Sequence, residues 1–193
     1  MKLLTLLFLF VSIATSGIAQ INKGQFLIGG SVSFESIKNE GSNVVNYKTT
    51  DVFISPNIGY FIINNLAAGL RFDFRSYKEK VPNDFTQTYT SISPFLRYYF
   101  LQPTKKLNVF IDVSYINYTS KFKSSSGASY TEKTNGYIIS AGPSIFLTPQ
   151  VAIEFTIGYK RTTEKDHPIN STIINSGIGL QIHFGKAKSE SKK

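Results

Sequence analysis

A period-two alternation of apolar and polar residues recurs along the chain and restricts the fold more than any other feature. In residues 107–115, apolar side chains occupy every second position, and Asn108, Asp112 and Ser114 lie between them. Alternation over such a length indicates a β-strand with one apolar and one polar face. The same pattern occurs in residues 25–35, 68–75 and 151–160.

A short sequence repeat shows how these strands are organised. Its copies lie at residues 54–61, 92–99, 141–146 and 176–180. Their spacing follows the length of the intervening connections, so the repeating unit is a hairpin and the chain is predicted to hold eight strands. Because proline cannot donate to a strand ladder, Pro56, Pro94 and Pro143 are expected to mark bulges or bends.

Short and long connections alternate between the predicted strands. The short ones fall at residues 64–65, 102–106 and 148–150, and the long polar ones at residues 37–46, 78–87, 120–134 and 162–170. Short turns at one end and long loops at the other are typical of bacterial outer-membrane β-barrels, in which the turns are periplasmic and the loops extracellular.

An eight-stranded barrel is also compatible with a soluble cup whose apolar face points inward. Small residues and mid-strand charges of both signs crowd the polar face, which suits a narrow closed interior better than a solvated exterior. Aromatic residues gather near both strand ends, as in the interfacial girdles of membrane barrels. They are Tyr77, Tyr89, Tyr115, Tyr137 and Tyr159 near the loops and Phe26, Tyr60, Tyr98, Phe100 and Phe184 near the turns. The predicted fold class is all-β, an eight-stranded antiparallel up-and-down transmembrane β-barrel.

The N-terminus has the layout of a secretory signal peptide. Lys2 precedes an apolar run at residues 3–13, and Gly17 and Ala19 supply small residues before a cleavage site at Gln20. A membrane-anchoring helix is disfavoured, because the run is too short to cross about 30 Å of hydrocarbon. We predict a signal peptide at residues 1–19, an outer-membrane β-barrel at 20–184, and a basic, disordered periplasmic tail at 185–193. The mature protein is expected in the cell outer membrane.

Together these features make the predicted barrel resemble the small eight-stranded outer-membrane β-barrel family, which includes OmpX, the OmpA transmembrane domain and the opacity-type proteins. The last strand carries an alternating set that ends on an aromatic residue: Ile178, Leu180, Ile182 and Phe184. This set is similar to the C-terminal assembly signal of that family, although here residues 185–193 follow the aromatic. The resemblance implies a Gram-negative cell envelope and the barrel-assembly machinery as a partner during biogenesis.

Candidate catalytic and metal-binding residues are few. The chain has no Cys and two His, which excludes thiolate chemistry and leaves little material for a metal site. His167 lies beside Asp166 in a predicted loop, and His183 lies on the lumen face near the turns. Some eight-stranded barrels are lipid A acyltransferases or deacylases, which need a His, a Ser and an acid together at one rim. The two His lie at opposite ends of the last strand, so we predict no enzyme activity, no cofactor and no metal.

Charged residues on the polar face are predicted to pair across the lumen. A first layer comprises Arg71, Asp73, Arg97, Asp112 and Glu154, and a second layer nearer the loops comprises Glu35, Asp51, Arg75 and Lys160. Charges buried in a narrow lumen persist only if paired, and an eight-stranded barrel has little room beyond its own side chains. We expect no stable open pore, and a loss of stability on Arg97→Ala that Asp112→Ala partly relieves.

The net charge of +9 raises the question of an anionic partner. Bases and aromatics do not gather on one strand face, which argues against nucleic acid. Lysines of the predicted long loops are expected either to face lipopolysaccharide head groups or simply to be solvated: Lys78, Lys80, Lys121, Lys123, Lys133 and Lys165.

The functional interpretation is a non-enzymatic outer-membrane barrel with a side-chain-filled lumen. Its extracellular loops, whose ligand the sequence does not name, would serve adhesion, surface defence or envelope integrity. One alternative is a narrow porin-like channel. A lipid A-modifying acyl-chain enzyme is the least favoured interpretation, because no catalytic triad surrounds either His.

Overall fold

A computed structural model describes residues 21–39, 47–80, 84–102, 105–164 and 170–185. The strands are β1 (Phe26–Asn39), β2 (Tyr47–Ile63), β3 (Leu66–Lys80), β4 (Phe85–Tyr99), β5 (Leu107–Ser124), β6 (Ser129–Phe146), β7 (Val151–Glu164) and β8 (Asn170–Phe184). Each strand is antiparallel to the next, and β8 pairs with β1 to close the barrel. The prediction of an all-β, eight-stranded up-and-down barrel is confirmed.

The alternation in the sequence determines which face of each strand is apolar. On β3, Leu70 and Phe72 point outward, whereas Arg71 between them turns into the lumen and bonds Asp112. Direct cross-strand partners share a face, so Leu70 faces outward together with Ile58 of β2. The middle of the barrel therefore has an apolar exterior and a polar lumen.

The turn end of the barrel is closed by the segment before β1 and by hydrogen-bonded turns. Asn65 has a φ of 68°, a conformation that Asn tolerates better than most non-glycine residues. Its Nδ2 donates to the carbonyl oxygens of Tyr99 and Leu101 at 2.8 and 3.1 Å, which ties the β2–β3 turn to the end of β4. Its backbone N–H donates to the carbonyl of Ile21, a fully buried residue.

The strands extend further toward the loop end than the sequence suggests. Residues 120–134 were expected to form a long loop, but Ser120 pairs with Glu132, and only residues 125–128 connect β5 to β6. Lysines expected in loops lie on strands instead: Lys78, Lys80, Lys121, Lys123 and Lys133. The loop prediction was wrong because the outward face of β5 becomes polar beyond the apolar belt, at Thr119, Lys121 and Lys123, so the apolar side of the alternation ends before the strand does.

The prolines interrupt strand ladders without shifting their register. The β4–β5 ladder passes from Ser91 to Phe95 without a pair at Pro94, and it resumes in the same register. Pro56 and Pro143 lie at similar interruptions of the β2–β3 and β6–β7 ladders. A ladder that resumes in register contains no inserted residue, so the bulges expected at these positions do not occur. The missing proline N–H accounts for the interruptions.

The seam between β1 and β8 is the shortest ladder of the barrel. It has five pairs and ends toward the loops at Gly30↔Leu180. Beyond this pair the strands separate, and Val32 and Ile174 are 73% and 77% exposed, against 41% for the outward-facing Phe72 on β3. Hydrogen bonding between β1 and β8 thus closes the barrel at its turn end, and the same two strands are unpaired toward the loop end.

Some predictions concern residues outside the described ranges. These are the signal peptide at 1–19, Lys165, His167 and most of the tail at 185–193. The division into signal peptide, barrel and tail therefore stays a prediction. Within the described ranges, no helix has the length and apolar character needed to cross a membrane.

Candidate functional site in the barrel lumen

Arg97 on β4 lies at the centre of a buried ion-pair network in the lumen. Its Nε donates to Oδ2 of Asp112 at 3.0 Å, and its Nη1 donates to Oε2 of Glu154 at 2.8 Å. Tyr99, on the same face of β4, donates its hydroxyl to Oε1 of Glu154 at 3.0 Å. All four side chains are buried. Buried charges are tolerated only when they are paired, so each of these groups depends on the others.

Arg71 extends the network to β3. Its Nη2 donates to both carboxylate oxygens of Asp112 at 3.0 Å, and its Nη1 donates to Oγ of Ser114 at 3.2 Å. Asp112 therefore accepts hydrogen bonds from two arginines, and the formal charges of the chain Arg71–Asp112–Arg97–Glu154 balance. The chain joins β3, β4, β5 and β7, so it crosses the lumen rather than following one ladder.

Aromatic rings stack against both arginines. The ring centroid of Phe95 lies 5.3 Å from Cζ of Arg71 and 5.7 Å from Cζ of Arg97, and the Phe110 centroid lies 4.7 Å from Arg97 Cζ. Such cation–π contacts are strongest when water is excluded. Gly69 provides room for Phe95, because a Cβ at Gly69 would lie 2.6 Å from Cζ of that ring. Sequence reasoning missed these rings, although their positions on the polar face were a detectable signal.

Asp73, predicted in the first layer, is held by hydroxyl groups. Ser55 of β2 and Ser91 of β4 donate to its two carboxylate oxygens at 2.6 and 2.8 Å. Asp73 occupies the next lumen-facing position after Arg71 toward the loops, so it lies just above the arginine network. Its bonds join β2, β3 and β4 at that height.

The second predicted layer is less closely packed. Arg75 pairs with Asp51, with its Nε 3.0 Å from both carboxylate oxygens. Glu35 is the direct cross-strand partner of Asp51 on β1, but its side chain is exposed. Lys160 places its Nζ 4.8 Å from the ring centroid of Tyr118. The structure thus joins Arg75 to Asp51 and leaves Glu35 in the open, loop-side part of the barrel.

Tyr77 and Tyr89 face the lumen, whereas the sequence placed them in the outer girdle. Tyr77 donates its hydroxyl to Glu79 at 2.8 Å, and the ring of Tyr89 lies 6.0 Å from that of Tyr118. Tyr77 lies two residues from Arg75 on β3, and Tyr89 lies two residues from Ser91 on β4. Because side chains alternate between faces along a strand, these spacings already indicate the lumen face. The other predicted girdle residues are exposed on the exterior: Tyr115, Tyr137 and Tyr159 near the loops, and Phe26, Tyr60, Tyr98, Phe100 and Phe184 near the turns.

A layer of buried rings lies beneath the ion pairs at the turn end. The ring of His183 lies 5.3–5.8 Å from those of Phe61, Tyr99 and Phe146, and its Nε2 is 3.4 Å from the Tyr99 hydroxyl. His183 is fully buried among these rings. In the described part of the chain, no cluster of three or more His, Asp or Glu residues is placed to hold a metal ion.

The predicted assembly-signal residues lie on the outward face of β8. They are Ile178, Leu180, Ile182 and Phe184. Phe184 pairs with Phe26 of β1, and their rings are stacked with centroids 5.6 Å apart. The set therefore forms the outer surface of the closing strand, and its role in assembly stays a prediction.

A closed antiparallel barrel with an apolar exterior and an ion-paired lumen defines a small β-barrel membrane protein. A family model described as "Outer membrane protein beta-barrel domain" matches residues 3–184, and the chain belongs to this family. Membership places the protein in the outer membrane of a Gram-negative cell. No curated protein matches the sequence.

Solved structures share the fold at low sequence identity. The N-terminal β-barrel domain of Pseudomonas aeruginosa OprF is 14% identical, covers 84% of this chain and 98% of its own, and has a TM-score of 0.54. The outer membrane protein OprG from the same species is 11% identical, covers 88% of this chain and 100% of its own, and has a TM-score of 0.50. At these identities the similarity establishes the small outer-membrane barrel architecture alone.

Proposed function

We propose that this protein is a non-enzymatic outer-membrane barrel whose lumen is closed by its own side chains. Its extracellular end is displayed for adhesion, surface defence or envelope integrity. The observation that carries the proposal is the ion-pair chain that crosses the lumen from Arg71 through Asp112 and Arg97 to Glu154. A rigid, filled cylinder is suited to holding surface segments in place, and it offers no route for solutes.

Two barriers stacked along the barrel axis support a closed lumen. The upper barrier is the arginine network with the Phe95 and Phe110 rings packed against it. The lower barrier is the ring layer around His183, with the fully buried Ile21 and Gln25 at the turn end. A solute would have to displace both barriers, and the upper one consists of paired charges that are costly to separate.

A narrow channel is the second candidate, because the loop-side half of the barrel is open. Ser33 and Glu35 face this half and are exposed, and β1 and β8 separate beside them. This open half ends at the arginine network, so it forms a vestibule above a closed floor. A channel would require the network to open.

Conductance of the refolded protein in planar bilayers tests the closed lumen. Wild-type protein should show no steady conductance. One variant removes Arg97 and Glu154 from the upper barrier (Arg97→Ala, Glu154→Ala) and Tyr99 from the lower barrier (Tyr99→Ala). If its gel migration before heating confirms that it is folded, it should admit ions. The matched control removes an arginine, a tyrosine and an acid from the loop-side half (Arg75→Ala, Tyr89→Ala and Asp51→Ala) and should stay closed. A steady wild-type conductance would reject the proposal in favour of the channel.

The display role is tested in cells with and without the protein. Attachment to surfaces, survival in serum and resistance to detergent correspond to adhesion, surface defence and envelope integrity. At least one of these three properties should fall when the protein is absent. It should return when the control variant (Arg75→Ala, Tyr89→Ala, Asp51→Ala) is expressed, because that variant keeps the lumen closed. Unchanged behaviour in all assays, or a change in lipid A acylation seen by mass spectrometry, would contradict a non-enzymatic display protein.

A further inference from the structure

Charges on the strands are sorted by face. The outward-facing charged side chains of the described strands are all basic: Lys38, Lys48, Lys78, Lys80, Lys121, Lys123, Lys133 and Arg161. The acidic side chains of the same strands all lie on the lumen face: Glu35, Asp51, Asp73, Glu79, Asp112, Glu132, Glu154 and Glu164. This separation by sign is not visible in the net charge.

The end of β3 shows how the alternation produces this separation. Lys78 and Lys80 occupy the same face as the exposed Phe72, and both lysines are exposed. Glu79 lies between them in sequence but points to the lumen side, where it accepts a hydrogen bond from the Tyr77 hydroxyl. A glutamate next to two lysines in the sequence is therefore unable to neutralise them on the outer surface.

The outward-facing lysines lie toward the loop end of their strands, whereas Arg161 lies lower, as the direct cross-strand partner of Tyr137. On the outward face of β5, the apolar stretch from Leu107 to Tyr115 is followed by Asn117 and Thr119, and then by Lys121 and Lys123. The order from the turn end to the loop end is thus apolar, neutral polar, and basic. The apolar belt of such barrels is about 25 Å tall, so we expect this third tier to meet the head groups of the leaflet at the loop end.

Neighbouring strands bring some of these cations side by side. Lys48 of β2 is the direct cross-strand partner of Lys80 of β3, and Lys38 of β1 is the partner of Lys48 on its other side. Like charges directly opposite each other destabilise a sheet. An anion between Lys48 and Lys80 removes that cost, and a phosphate oxygen can accept hydrogen bonds from several ammonium groups.

We propose that these outward-facing lysines and Arg161, which we term the outer basic ring, bind the phosphate groups of anionic lipid in the leaflet that surrounds the loop end. The ligand class is a phosphorylated glycolipid of the lipid A type, whose acyl chains cover the apolar belt while its phosphates meet the ring. The proposal rests on the outward position of the loop end in the proposed function, but not on the closed lumen. Conductance and lipid binding can therefore fail separately.

Lipid binding by the refolded barrel in detergent micelles provides the test. The probes are bis-phosphorylated lipid A and the same lipid with both phosphates removed. The ring variant carries Lys48→Gln, Lys78→Gln and Lys80→Gln. The matched control carries Lys23→Gln, Lys105→Gln and Lys106→Gln, which remove the same charge at the turn end. Native mass spectrometry counts bound lipid, and titration gives the dissociation constant.

Wild-type protein should prefer the phosphorylated lipid, and this preference should weaken as salt is added. The ring variant should lose about fivefold in affinity for each lysine removed, since one basic residue near an anionic surface contributes about 1 kcal/mol. The control variant should bind like wild type. The salt dependence of wild-type binding needs no variant, so the test holds even if the ring variant folds poorly.

Three results would overturn the proposal. The first is equal wild-type binding of the phosphorylated and dephosphorylated lipids. The second is an equal loss in the ring and control variants, which would indicate a response to net charge alone. The third is displacement of the lipid by inorganic phosphate at a similar concentration, which would indicate a site for a free anion rather than for a lipid.

Discussion

Arg97 and Asp112 are direct cross-strand partners on β4 and β5, and Arg97 Nε donates to Asp112 Oδ2 at 3.0 Å. Each residue also has a second partner of opposite charge. Asp112 accepts from Arg71, and Arg97 donates to Glu154. If Arg97 is removed, Asp112 still has an arginine, whereas Glu154 is left with the Tyr99 hydroxyl alone. The unpaired charge therefore appears on β7 and not on β5.

This asymmetry leads to a prediction about compensation. Arg97→Ala should destabilise the barrel by about 3–5 kcal/mol, because it leaves a buried carboxylate without its cation. Adding Glu154→Gln should restore part of that loss, since Gln removes the charge and keeps an acceptor for the Tyr99 hydroxyl. Adding Asp112→Asn, the matched control, should restore less, because it deprives Arg71 of its partner.

Urea unfolding in lipid vesicles of wild type, of the single variants Arg97→Ala and Glu154→Gln, and of the two double variants gives the required free energies. Sequence reasoning alone chose Asp112 as the compensating position, and the structure favours Glu154. A double variant with Asp112→Asn that is more stable than the one with Glu154→Gln would contradict the charge chain. Purely additive effects of Arg97→Ala and Glu154→Gln would show that the two side chains do not interact.

Two lumen glycines should differ in their tolerance of a methyl group. A Cβ at Gly69 would lie 2.6 Å from Cζ of Phe95 and would also press on the carbonyl oxygen of Ile58, whereas a Cβ at Gly59 would have no neighbour closer than 3.2 Å. Gly69→Ala should therefore cost about 1–3 kcal/mol through overpacking, and Gly59→Ala less. Unfolding in vesicles measures both, and equal costs would argue against the close packing of Phe95.

The apolar exterior predicts a cost that depends on the bilayer. Ile111 lies on the outward face of β5, and Ile111→Arg should cost about 2–4 kcal/mol near the midplane. Ser114 is buried in the lumen and accepts a bond from Arg71, so Ser114→Arg should act by crowding and by repulsion between cations. Folding free energies in thin and thick bilayers distinguish the two. A cost of Ile111→Arg that ignores thickness would mean that the faces are inverted.

A closed barrel should also resist detergent at room temperature. Every strand has a hydrogen-bonded neighbour on each side at the turn end, so the ladder has no free edge there. Unboiled and boiled samples should therefore run at different apparent masses on a gel. Identical migration, combined with recovery in the soluble periplasmic fraction, would contradict the membrane assignment.

The sequence predicts the fold well where one face of a strand meets an apolar medium. Period two then assigns Leu70 and Phe72 outward and Arg71 inward without further information. The same rule fails near Ser120, because the outward face there carries Thr119 and Lys121, and the apolar face on which the rule depends has ended. A polar composition was therefore interpreted as a loop, although the residues pair with β6.

The site was harder to predict than the fold for a different reason. Alternation brings Arg97 and Glu154 to the lumen, but their contact joins β4 and β7, which are not neighbours in the sheet. Which side chains meet across the lumen depends on strand register and on the sizes of the residues between them. The Phe95 ring, accommodated by Gly69, occupies space that a list of charges does not reveal.

The short β1–β8 seam determines how the barrel responds to a force that pulls its chain ends apart. The start of β1 and the end of β8 meet at Phe26 and Phe184, so a force that pulls the two chain ends apart acts on the first rung of this ladder. The remaining rungs would then be loaded one after another up to Gly30 and Leu180, as in a zipper. Once these five β1–β8 pairs have separated, the cylinder becomes an open, curved sheet. The resistance of the closed barrel to such a force therefore depends on these five pairs.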